Sequence, residues 1–93
     1  MKKFDRIGFS STFNKQLKKA PLKIRIAFKK RVELFLIDPF NSQLKNHKLT
    51  GKLKNYTSIN ITGDWRALYS KNEINKENVV IFEALGTHSQ LYK

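Results

Sequence analysis

The chain has 93 residues, 40% of them apolar, which suits one compact domain (1–93) with a single core. It has no cysteine, which excludes a disulfide framework and thiolate metal sites and fits a reducing cytoplasm. No apolar run approaches the ~20 residues that cross a bilayer. The 19 Lys+Arg outweigh 7 Asp+Glu for a formal net charge of +12, so the expected partners are polyanions, nucleic acid or an acidic protein, ahead of a membrane surface.

In chain order, the imperfect alternation of Phe4, Ile7 and Phe9 predicts a first strand over residues 3–9. Ser10 or Ser11 is placed to cap a helix in which Phe13 and Leu17 share a face. Pro21 ends that helix or opens the next. From Leu22 to Ile37, Ile24, Ala27, Phe28, Val32, Phe35 and Leu36 recur at three- and four-residue spacing and predict one apolar stripe. Lys23, Lys29, Lys30 and Arg31 fall mostly off it, so the pair reads as a hairpin of helices, apolar inside and basic outside. Asp38-Pro39 stops the second helix, because the residue before a proline is pushed out of the helical region.

Residues 38–55 read as a polar but ordered connector, anchored by Phe40, Leu44, Leu49 and Leu53. Tyr56–Ile61 alternates, with Ile59 and Ile61 on one face and Tyr56, Ser58 and Asn60 on the other. Trp65–Ser70 is the next strand, Lys71–Asn78 a polar loop, and Asn78–Ala84 an apolar strand with the run Val79-Val80-Ile81-Phe82. A short tail ends in Tyr92-Lys93. The expected fold class is α+β: an N-terminal strand, a two-helix hairpin, then a three-stranded antiparallel run forming one sheet.

The two histidines, His47 and His88, lack metal-ligand spacing, and no nucleophile-elbow motif is present. Neither a metal nor another cofactor is expected. Metal-free RNA cleavage needs only a base for the ribose 2′-OH, an acid for the 5′-oxygen and cations for the phosphate. His47 in the connector, Asp64 and Arg66 at a strand start, and His88 after the last strand supply those residue types near strand ends. Asp64 and Arg66, two apart, are expected on one side of a strand. Each has a plainer alternative, a surface histidine or a turn aspartate.

Four stretches together resemble the RelE/YafQ toxins of bacterial type II toxin–antitoxin systems. They are Asp38-Pro39-Phe40-Asn41, Asn46-His47-Lys48-Leu49-Thr50-Gly51-Lys52-Leu53, Gly63-Asp64-Trp65-Arg66-Ala67-Leu68-Tyr69 and Gly86-Thr87-His88-Ser89-Gln90-Leu91-Tyr92. The helix bearing Phe13, Leu17, Lys18 and Lys19 is also similar to theirs. The resemblance implies a RelE-like fold and metal-independent mRNA cleavage in the ribosomal A site, restrained by an antitoxin protein. It implies catalytic roles for His47, Asp64 and His88. By the same resemblance Trp65 completes an Asp-Trp pair, Arg66 stabilises phosphate and Tyr92 is a C-terminal aromatic holding substrate. Asn60 stands where YafQ-like members carry a second histidine, and Asn hydrogen-bonds without moving protons near neutral pH. Lys48 and Lys52, with Lys45 and Lys54, surround His47 and are placed to hold the mRNA backbone; the helix lysines and Arg31 are placed to meet ribosomal RNA.

Three other readings stand beside this one. A ParE-like gyrase-poisoning toxin shares the layout but has no need of proton-transfer residues. A non-catalytic RNA-binding module explains the charge and leaves the histidines as coincidence. A catalytically weak relative that still binds RNA or antitoxin is kept open by Asn60.

Overall fold

A computed structural model describes residues 4–92, in which caps and apolar spacings resolve into a mixed sheet backed by helices. The elements are β1 (Arg6–Phe9), α1 (Ser11–Lys19), α2 (Leu22–Ile37), β2 (His47–Lys48), β3 (Thr57–Thr62), β4 (Trp65–Ile74), β5 (Glu77–Thr87) and α3 (His88–Leu91). Single 3-10 turns lie at Ser42–Leu44 and Gly51–Leu53. Lys3, the expected start of the first strand, lies outside the described residues, as do Met1, Lys2 and Lys93.

Ser10 is the cap of α1: its Oγ accepts from the Phe13 N–H at 3.0 Å, satisfying a donor that the helix start leaves free. Pro21 sits just before α2, and Asp38 ends it. The sheet order is β1-β5-β4-β3-β2, giving five strands rather than four. β3, β4 and β5 form the expected antiparallel run, while β1 pairs with β5 in parallel at one edge. The expected connector supplies the fifth strand, β2, which pairs with β3 at the other edge.

The core lies between the sheet and the two long helices. Phe82 is its centre: the rings of Phe9, Phe13, Phe28, Phe35 and Tyr69 surround it with centroids 5.4–5.8 Å away. Such spacing gives aromatic pairs a contribution beyond their buried area, about 0.5–1.5 kcal/mol each. Ile59 and Ile61 face this core, as their alternation predicts. Tyr69 is buried there, and its hydroxyl donates to Asn46 Oδ1 at 3.1 Å. Burial raises the Tyr69 pKa, and hydrogen bonds with Asn46 and Thr57 oppose the rise. Asn46 in turn donates to the Pro39 carbonyl at 2.8 Å, so it fastens the connector to the sheet.

Several expectations are corrected. The polar loop at 71–78 is a long hairpin, with β4 running to Ile74 and β5 restarting at Glu77. Its turn is Asn75-Lys76, both at positive φ (51° and 66°), the conformation that matches the twist of tightly joined strands. β5 runs on to Thr87, so the expected tail from Leu85 begins as strand and continues as α3. In α2, Leu36 is exposed and Leu34 packs on the core instead. Leu22, Ile26 and Ile37 are exposed too, so the outer face of α2 is apolar as well as basic. Phe40 is exposed, whereas Leu44 anchors the connector as expected. Arg31 turns inward: its Nε donates to the Ile61 carbonyl at 2.9 Å and its Nη1 to Gln43 Oε1 at 2.8 Å, bracing β3 beyond its two-residue pairing with β2. Among the described residues no helix is long and apolar enough to cross a membrane.

Candidate active site

Strand register builds the site on the sheet face opposite the helices. His47 of β2 lies opposite Ser58 of β3, Ser58 opposite Leu68 of β4, and Leu68 opposite Ala84 of β5. In the next row Asn60 lies opposite Arg66, and Arg66 opposite Gly86. Paired residues share a face, and the intervening Ile59, Ala67 and Leu85 point into the core. His47, Ser58, Asn60 and Arg66 therefore stand together on the helix-free side. α3 brings His88 and Tyr92 over the end of these rows. The result is a shallow groove of about 420 Å³ lined by Lys45, His47, Leu49, Asn60, Arg66, His88 and Tyr92.

Local bonds orient these groups. His47 Nδ1 lies 2.8 Å from the Lys45 carbonyl. A carbonyl only accepts, so Nδ1 carries the hydrogen and the neutral ring presents a lone pair at Nε2. Lys45 holds that carbonyl in place from a left-handed conformation, φ 47°. Arg66 Nη1 donates to the carbonyls of Gly63 (2.9 Å) and Trp65 (3.1 Å). A guanidinium has five donors, so the rest of the fork remains for an anion. α3 opens with a capping box: Thr87 Oγ1 accepts from the Gln90 N–H, and Gln90 Oε1 accepts from the Thr87 N–H. Its first amide, His88 N–H, donates to the Asp64 carbonyl at 3.0 Å. The His88 and Tyr92 rings meet edge to face with centroids 4.5 Å apart.

The other sequence-chosen residues are placed differently. Asp64 lies in the β3–β4 turn, not in the strand with Arg66, and touches the site through its carbonyl. Trp65 faces the core side, beside Leu85, Gln90 and Leu91 under α3. Lys48 points away from Ser58's row and lines a neighbouring hollow with Asn46, His47 and Lys54. Lys52 is exposed on the second 3-10 turn. Lys45, expected beside His47, does line the groove, but the role of its carbonyl in orienting His47 escaped the sequence reading, as did Ser58 and Gly86 as site residues; Ser58 carried a signal, since it alternates onto the face of Asn60. A more apolar hollow of about 380 Å³, with Phe4, Phe35, Phe40 and Val79 in its wall, holds no histidine or arginine. The chemistry therefore favours the groove. Among the described residues no three His, Cys, Asp or Glu cluster to hold a metal ion.

The fold has solved counterparts. The chain is similar to YafQ from E. coli strain BL21(DE3), at TM-score 0.76 and 24% identity, over 94% of this chain and 97% of that one. It is similar to YafQ in the E. coli DinJ-YafQ toxin–antitoxin complex, at TM-score 0.73 and 24% identity, over 94% and 96% of the two chains. A YoeB/ParE toxin from Agrobacterium tumefaciens matches at TM-score 0.71 and 15% identity, over 90% and 99%. At these identities the likeness establishes the fold. No curated protein matches by sequence. A sequence profile described as "Bacterial toxin of type II toxin-antitoxin system, YafQ" matches residues 5–93, nearly the whole length. The chain belongs to the YafQ family of bacterial type II toxin–antitoxin toxins.

Proposed function

We propose that this toxin is a metal-independent mRNA endoribonuclease acting on the ribosome and neutralised by a cognate antitoxin. The observation that carries the reading is the groove itself: two histidines, an arginine and an asparagine from four separate elements converge on one open face of a chain charged +12. A shallow, open groove fits an extended polyanion better than a small molecule.

In the proposed reaction His47 Nε2 takes the proton of the ribose 2′-OH. The 2′-oxygen then bonds to the adjacent phosphorus while the bond from phosphorus to the 5′-oxygen breaks, and His88 gives that oxygen a proton. Arg66 offsets the negative charge gathering on the phosphate, and Asn60 opposite it donates to the substrate. Asp64 acts through the main chain that seats His88. Trp65 supports α3 from beneath. Tyr92 borders the substrate path, and Lys48 and Lys52 hold the mRNA backbone with the exposed helix lysines meeting ribosomal RNA. The structure of a DinJ-YafQ complex supports an antitoxin partner, and the positive charge of this chain favours fast capture by an acidic one.

The test is cleavage of mRNA on programmed ribosomes in EDTA, wild type against His88→Ala. The expected result is A-site cuts by the wild type that fall at least ~100-fold in the variant, the scale of a lost acid or base. Absence of wild-type cuts, with growth arrest unchanged by His88→Ala, would instead favour a gyrase poison.

A further inference from the structure

Ser58 is fully buried. It stands on the helix-free face, beside His47 across the β2–β3 pair. Tyr92 closes over it, its hydroxyl donating to Ser58 Oγ at 3.0 Å across 34 residues of sequence. Tyr92 also ends α3, and its ring abuts the His88 imidazole one helical turn earlier. α3 has four residues, far too few to hold a helix by its own hydrogen bonds. Its position must come from anchors outside it. Two hydrogen bonds serve as such anchors: His88 N–H to the Asp64 carbonyl at its start and Tyr92 to Ser58 at its end.

We propose that Ser58 and Tyr92 form a latch that sets the His88 imidazole in the groove, making Ser58 a positioning residue. Tyr92 then works mainly through His88 and only secondarily as a surface for substrate. A phenol already committed to Ser58, with its ring edge against His88, is a brace between strand β3 and the imidazole. This inference rests on the nuclease reading for its kinetic consequence but not for its structural one.

Ser58→Ala, Tyr92→Phe and the double variant separate the possibilities, each checked for unchanged thermal unfolding. In the ribosome assay each single variant is expected to lower kcat on the order of tenfold with KM little changed, since small misplacements of a reacting group are costly. The double variant should be no worse than the singles, because both remove the same bond. In the free protein, the ¹⁵N imidazole resonances of His88 should shift in every variant. A raised KM at constant kcat, multiplying effects, or unmoved His88 resonances would overturn the latch. If the wild type fails to cut, the nuclease reading falls alone, and the imidazole spectra still decide whether the latch exists.

Discussion

Tyr69 packs its ring edge to face against Phe35 yet finds Asn46 for its hydroxyl. Burial raises its pKa above the ordinary 10.0, so the fold favours the neutral phenol. Its contribution to stability is then complete below pH 10.0 and is lost as pH rises through the folded value. Denaturant unfolding of wild type and Tyr69→Phe on either side of that pH checks the sign. The wild type should lead by about 1 kcal/mol at neutral pH, the usual worth of a satisfied hydrogen bond, and the lead should shrink in alkali. A lead independent of pH would contradict it. The site was legible at this scale where chemistry follows residue type. His47, Arg66 and His88 stood out because few other side chains move protons or bind phosphate. Lys45 stood out only for its charge; the hold of its carbonyl on His47 was invisible, because it depends on a left-handed backbone that only the finished connector imposes.

Gly86 couples strand to helix. It sits opposite Arg66 in β5, and a Cβ there would lie 2.9 Å from Gln90 Oε1 and 3.3 Å from both Gln90 Cβ and Leu91 Cδ2. The Gln90 oxygen is held by the Thr87 N–H at 2.8 Å, so it yields only by breaking the capping box. Gly86→Ala should therefore lift α3, and His88 with it. Activity on the ribosome should fall on the order of tenfold or more, while overpacking costs stability roughly 1–3 kcal/mol. A variant that cuts at the wild-type rate would show that α3 is not held by this contact. Elements were legible where they touch the core: α1, α2 and β3 follow their apolar spacing. The β4–β5 hairpin was not, because Lys71, Asn72 and Glu73 are exposed beyond the core and their alternation carries no apolar signal. β2 has two residues, too few for any period to show.

At the scale of the whole molecule, the sheet separates two tasks. One face is committed to the aromatic core under α1 and α2, and the other carries the groove. The order of strand and helices sufficed for the α+β class, but the parallel pairing of β1 with β5 joins residues some seventy apart, which local patterning does not encode. The same separation lets a chain charged +12 present the groove's histidines and arginine without disturbing its core. If this face performs the proposed 2′-OH attack, the chemistry of the cut will show it. An mRNA with a single 2′-deoxynucleotide at the cleavage position should bind the ribosome–toxin complex and remain whole, while the all-ribose message yields a 2′,3′-cyclic or 3′-phosphate and a 5′-hydroxyl. Cleavage of the 2′-deoxy message, or a 5′-phosphate on the product, would contradict the account.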